Sequence, residues 1–229
     1  MQRIAGIDGC RSGWLVVESS LDLKRQSWKI APNWNAIACD AEIIAVDMPI
    51  GISSNGVRQC EVDARSVLTP YASRIFKTLP RGALRFAQKD WALANQWSKS
   101  EGFGGISKQI WNIRPKIIEI DCAITPEMQA RVHEAHPELA FTKLNGGYAL
   151  ISKHSEAGLT LRKRLLVRAG FTHLDTWLQD LRGTGAKTDD LFDACALVLT
   201  AQRIFRGAAR TLPAVEQRDP RGLRMSIGY

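Results

Sequence analysis

Three carboxylates stand where carboxylates are normally avoided. Asp8 follows the apolar run Ile4-Ala-Gly-Ile7, and Asp47 follows Ile43-Ile-Ala-Val46. In an α/β sheet, ligands collect outside the carboxyl ends of the strands, so both acids would face one crevice if their strands are neighbours. Each is also the kind of residue that closes a turn by accepting backbone N–H groups. The third signal is Asp190-Leu-Phe-Asp-Ala-Cys-Ala196. Asp190 and Asp193 are three apart and share a helix face. Asp190 has a structural account, because an acid in the first turn gains from the helix dipole. Asp193 has none: it lies a turn further in, among apolar residues, where an unpaired carboxylate is costly. A metal ion bound by both acids is the simplest remedy. Hard ions such as Mg²⁺ or Mn²⁺ take carboxylates, water and phosphate oxygens. Two of them roughly 3.5–4 Å apart stabilise the attacking and leaving oxygens of phosphodiester cleavage. Zinc does not suit the chain, since its Cys and His residues lack ligand spacing.

The elements that must position these acids read as follows. Residues 3–8 and 14–18 form two strands close enough for a hairpin, and 27–31 alternates as a third. Residues 42–47 predict a strand that again ends on an acid, and 131–136 predicts a further one closed by Pro137. Between them, residues 58 to about 104 are helical but irregular, broken by Pro70, Pro80 and the glycines at 102–105. Helical spacing follows over 106–122 (interrupted by Pro115), 155–169, 174–181 and, most clearly, 188–206. This order predicts an α/β fold in a single domain over 1–229, with a helical insertion at about 55–104.

Composition narrows the class. The chain has 229 residues, 45% of them hydrophobic and 24% charged, which suits a globular protein rather than a disordered or fibrous one. No apolar stretch approaches the length of a membrane span, and the start Met-Gln-Arg-Ile-Ala-Gly-Ile-Asp is unlike a signal peptide. Five widely spaced cysteines suit reduced thiols, so the expected location is cytoplasmic. The net charge is +8, with six basic against two acidic residues over 58–85, five against one over 153–168, and six against two over 203–229. Such stretches either converge on a phosphate backbone or form an ordinary basic surface.

Three segments carry a resemblance. Gly6-Ile-Asp-Gly-Cys-Arg-Ser-Gly-Trp-Leu-Val-Val17, Ala45-Val-Asp-Met-Pro-Ile-Gly51 and Asp190-Leu-Phe-Asp-Ala-Cys-Ala196 resemble the acidic motifs of the RNase H-like superfamily. The last is similar to the Asp-x-x-Asp-Ala-x-Ala helix of RuvC-type Holliday junction resolvases. Beyond that core the chain resembles the domain of unknown function 429 family, described as predicted RNase H-like nucleases. Further marks are Arg58-Gln-Cys-Glu-Val-Asp-Ala-Arg65, Ser73-Arg-Ile-Phe76 with Pro80-Arg81, Glu134-Ala-His-Pro-Glu138 and Asp219-Pro-Arg-Gly-Leu223. The resemblance implies a mixed sheet of three antiparallel strands plus parallel strands, flanked by helices. It also implies Asp8, Asp47, Asp190 and Asp193 as ligands of Mg²⁺ or Mn²⁺. RuvC-type enzymes carry Glu where this chain has Asp47, which weakens that analogy more than the fold. Glu134 is expected either as a further catalytic acid or as a capping residue, and Glu138 as an acid at a helix start. Arg11 is expected to hold substrate phosphates, and Arg58, Arg65, Arg74, Arg81 and Lys108 either to do the same or to pair with Glu61, Asp63 and their neighbours. Trp91 and Trp97 sit at core spacing; with Trp111 they are the residues that could stack on bases.

The leading expectation is a divalent-metal-dependent nuclease acting on DNA or RNA, with no membrane partner and a homodimer left open. A non-catalytic nucleic-acid-binding module would keep the basic surface, but gains nothing from clustered acids beside phosphates. A phosphodiesterase acting on a small nucleotide is a third reading. A phosphotransferase of the actin and sugar-kinase type is a fourth, although 229 residues hold only one of the two halves it needs.

Overall fold

The structure is a computed structural model and describes residues 2–229. Chain order is β1 (Arg3–Cys10), β2 (Gly13–Ser20), β3 (Gln26–Ala31) and β4 (Ile43–Val46), then α1 (Gln59–Val67), α2 (Trp91–Ser100), α3 (Lys108–Asn112) and α4 (Arg114–Ala123). There follow β5 (Val132–Glu134), α5 (Pro137–Leu144), α6 (Glu156–Ala169), α7 (Leu174–Asp180), α8 (Thr188–Phe205), and the two-residue strands β6 (Thr211–Leu212) and β7 (Ile227–Gly228). No described helix is long and apolar enough to cross a membrane.

The chain divides into two compact units. One comprises Met1–Asp47, Arg131–Arg210 and Gly228–Tyr229; the other comprises Met48–Ala130 and Thr211–Ile227. The helical segment expected at about 55–104 therefore lies inside a larger unit, which also takes up a stretch near the C-terminus.

The first unit is built on a five-stranded sheet in the order β3-β2-β1-β4-β5. The β1–β2 and β2–β3 pairs are antiparallel, whereas β1–β4 and β4–β5 are parallel. This is the mixed α/β sheet expected from the sequence. Both faces of β1 are buried, which explains its near-continuous apolar run. Ile4, Leu15, Val17, Ala45 and Ala135 belong to the core built with α8. The opposite face carries Ala5, Ile7, Val16 and Val46, all buried, and Trp14, whose ring meets Trp34 edge-on at 5.4 Å.

The close seating of α8 depends on Gly6. A Cβ there would lie 2.1 Å from Ala194 O and 2.5 Å from Val198 N, both rigid helix backbone. Gly6→Ala is therefore expected to lower unfolding free energy by about 2–3 kcal/mol, read as a fall in denaturation midpoint. An unchanged midpoint would mean that α8 is not held this tightly against β1.

The second unit has its own interior. Arg58 is 1% exposed and donates to Glu61 Oε1 at 2.8 Å and to Ile50 O at 3.0 Å. Glu61 also accepts from the Thr78 backbone and hydroxyl. Arg81 forks onto Asp121 (3.1 and 2.8 Å) and reaches Asp219 Oδ2 at 2.6 Å. Asp219 further accepts from the backbone N–H groups of Ile52, Arg221 and Leu223. The Asp219-to-Leu223 segment is thus tied to the chain near residues 52 and 81, and this knot gathers 211–227 into the unit.

Candidate functional site

The acids of the first unit are brought together by strand register and by α8. Parallel pairing of β1 with β4 runs to Ile7↔Val46, and pairing of β4 with β5 runs to Val46↔Glu134. The next row is Asp8 beside Asp47, with the Asp47 N–H donating to Ile7 O at 2.9 Å and Ala135 N–H to Val46 O at 2.9 Å. Because side chains alternate along a strand, Asp8 and Asp47 share the face of Gly6 and Ala45, the face on which α8 lies. Asp193 directly precedes Ala194, the residue that Gly6 admits to the sheet. Thus β1, β4 and α8 bring Asp8, Asp47, Asp190 and Asp193 together, the set that the resemblance implied.

Their electrostatics follow from burial first and from neighbouring charge second. Asp8 is 8% exposed and holds its proton well above the usual carboxyl range, through burial first and then the charges of Asp47, Asp193 and Asp190. Burial pushes Asp47 up to about 7, against the lowering pull of Lys153, with Glu138 adding to the rise. Burial likewise raises Asp193 to about 6, although Lys153 opposes it. Asp190 is raised more modestly by burial; its Oδ2 accepts the Lys187 backbone N–H at 2.8 Å, closing the first turn of α8. Asp190 therefore carries its capping role as well as its share of the cluster's charge.

Two cationic side chains that spacing did not single out complete the arrangement. Lys153 Nζ lies 2.6 Å from Asp193 Oδ2 and 3.4 Å from Asp189 Oδ2. The same ammonium acts electrostatically on Asp8 and Asp47. The other Asp193 oxygen, Oδ1, is buried without a hydrogen-bond partner. Arg162 is fully buried and donates to Glu138 Oε1 at 2.6 Å and to Ile151 O at 2.9 Å. Glu138 stands in the first turn of α5 and contributes negative potential at both Asp47 and Asp193.

This changes the role of one predicted residue. Glu134 pairs in the row of Ile7 and Val46, so it faces the side of the sheet opposite to Asp8 and Asp47. The acid that adds its charge to the cluster is Glu138, four residues on and one element later. Removing Arg162 takes the guanidinium away from a buried carboxylate, Glu138. Arg162→Met should therefore lower stability by about 3 kcal/mol, measured by chemical denaturation, and Glu138→Gln in the same chain should restore much of it. Failure of that rescue would show that the pair is not what Arg162 contributes.

The basic residues expected at phosphates occupy varied settings. Arg11 is exposed in the turn between β1 and β2, three residues beyond Asp8. Arg58 and Arg81 are engaged by the internal carboxylates already described, and Arg65 donates twice to Ile75 O. Arg58 thus pairs with Glu61 as the alternative had it, whereas Arg81 takes Asp121 and Asp219 and Arg65 a backbone carbonyl. Arg74 lies over the Tyr71 ring at 4.1 Å, and exposed Lys108 over Trp91 at 3.6 Å. The tryptophans of the second unit are also committed. Trp91 donates to Ile106 O, Trp111 is buried and donates to Gln88 O, and Trp97 packs between Phe86 and Phe103. A cleft of about 390 Å³ in that unit, lined by Ser53, Asn55, Arg218, Asp219 and Met225 among others, is made of residues outside the acidic set.

Among the described residues, no three His, Cys, Asp or Glu side chains form a ready-made metal cage. The donor set nevertheless fits a hard divalent ion. It consists of carboxylate oxygens that repel one another, one of them is orphaned and buried, and a lysine ammonium already stands among them as a substitute cation.

A family model described as "Protein of unknown function (DUF429)" matches residues 6–218, which include all of these acids. No curated protein matches the chain. No solved structure matches it.

Proposed function

We propose that this chain, which belongs to the DUF429 family, is a divalent-metal-dependent nuclease. The observation that carries the reading is a set of converging buried acids that hold their protons above the usual carboxyl range, through burial first and neighbouring negative charge second, with Asp193 Oδ1 left without a hydrogen-bond partner. Acids so placed raise the energy of the metal-free fold, and a divalent cation is the ligand that would relieve them. Asp8, Asp47, Asp190 and Asp193 would hold Mg²⁺ or Mn²⁺, which supplies an activated water and charge stabilisation at phosphorus. Asp8 feels the charges of Asp47, Asp193 and Asp190 and would be the shared ligand. Glu138, fixed by Arg162, keeps the potential around Asp47 and Asp193 negative. Arg11 at the neighbouring turn is a donor to the phosphate backbone.

A second reading, a nucleic-acid-binding module without catalysis, is favoured by Lys153, which already neutralises part of the charge at Asp193. One experiment separates them. Mn²⁺ and Mg²⁺ are titrated by calorimetry into wild type and the Asp8→Asn/Asp193→Asn double variant. The same preparations are assayed on single-stranded, duplex and branched DNA and RNA. Metal-dependent cutting lost in the variant is the expected result. Nucleic-acid binding that needs no metal and yields no cleavage would replace the nuclease reading with the binding module.

A further inference from the structure

The cation already present in the acidic cluster has a consequence for how a metal would enter. Lys153 lies between α5 and α6, two residues before Ser155, the N-cap of α6. Its side chain is 29% exposed, and its ammonium meets Asp193 and Asp189. A lysine stem carries four rotatable carbons, so the head can leave its partners without any movement of the backbone. The oxygen it engages, Asp193 Oδ2, belongs to the acid whose second oxygen is buried and unpartnered. One positive charge faces Asp8, Asp47, Asp189 and Asp193 together, so the cluster stays short of cations.

We propose that Lys153 is the resident counter-ion of this site and competes with the divalent metal, which must displace its ammonium from Asp193 before it can bind. The inference rests on the metal-dependent reading above and adds a residue that sets metal affinity. A cation that occupies the site in the metal-free protein holds the acids in place and prevents their mutual repulsion from opening the sheet end. The same occupancy weakens every metal that enters, because the Lys153–Asp193 pair has to break first. Lys153 is thus a positioning residue rather than a ligand.

The test uses the full chain, stripped with chelator, with Mn²⁺ alone as the probe. Lys153→Met and Lys153→Gln remove the charge at nearly constant length. Both variants should bind Mn²⁺ at least tenfold more tightly than wild type by calorimetry, and both should melt at lower temperature in chelator. A readout on the unmodified chain avoids dependence on either variant's folding. Reductive methylation of Lys153, followed by peptide mass spectrometry, should run at least fivefold faster once Mn²⁺ is added. If wild type binds Mn²⁺ but the variants bind it no more tightly, or Lys153 labelling is unchanged, the competition is overturned and the metal site stands. If neither wild type nor variants bind Mn²⁺, both the competition and the metal-dependent reading fall.

Discussion

Asp193→Asn is expected to lower metal-dependent cleavage at least about a thousandfold, the scale of losing preorganised charge stabilisation at a reacting phosphate. It should do so while leaving the metal-free protein at pH 8 as stable as wild type, or more so. The pairing of these outcomes is the informative part. A buried acid kept for structure normally destabilises the fold when removed, because its donors lose their acceptor. Asp193 differs: it is 2% exposed, its Oδ1 has no hydrogen-bond partner, and burial lifts its pKa to about 6. Its one strong partner, Lys153, retains Asp189 at 3.4 Å and partial access to water if Asp193 becomes neutral. Initial cleavage rates at saturating Mg²⁺, together with guanidinium unfolding in chelator, check both halves. Cleavage within tenfold of wild type would remove Asp193 from the reaction. A large loss of stability would make it a structural acid.

What the sequence made legible, and what it did not, divides along the range of the interactions. Asp8 and Asp47 stood out because a carboxylate after four apolar residues breaks a local pattern, and α8 stood out by length and periodicity. Whether β1 and β4 are neighbours was open on these residues, and the mixed sheet was carried by the resemblance. Glu134 was a matter of parity. Whether the side chain at 134 or the one at 135 shares the face of Asp8 depends on the β4–β5 register, and a shift of one residue reverses the answer. Arg162 left a trace that spacing could have revealed, since it falls on the buried stripe of α6 with Gly158, Leu165 and Leu166. A charge on such a stripe requires a buried partner, although nothing local names Glu138. Lys153 left none: it lies in an irregular stretch 40 residues from Asp193, and its neighbours Ser152 and His154 resemble any exposed loop. The second unit's extent was hidden for the same reason, because Asp219 is joined to Arg81 and Ile52 only in three dimensions.

The metal-free protein should lose stability as pH rises from 5 to 8, by about 4 kcal/mol from Asp47 and Asp193 alone at roughly 1.4 kcal/mol per pKa unit. The sign follows from proton counting. Asp8, Asp47, Asp190 and Asp193 all have folded pKa values above the ordinary carboxyl value of 3.8, reaching about 7 for Asp47 and about 6 for Asp193. Between the ordinary value and these raised ones, the folded state binds more protons than the unfolded chain. Stability is therefore fully present below about pH 4 and is lost progressively as pH rises through the raised folded values, Asp8 among them. Lys153 does not alter this window, because its ammonium is raised and remains charged throughout. Asp22 and Glu127, lowered by local hydrogen bonds, act in the opposite sense only near their own lower pKa values, so the comparison begins at pH 5. Urea unfolding in chelator across the range measures the slope, and Asp47→Asn/Asp193→Asn should flatten most of it. Saturating Mn²⁺ should reduce the same slope in wild type, since metal and protons compete for the same oxygens. A steep loss that Mn²⁺ leaves untouched would mean that the acids repel one another without forming a cation site. A flat profile in chelator would mean that they are too well solvated to need a cation at all.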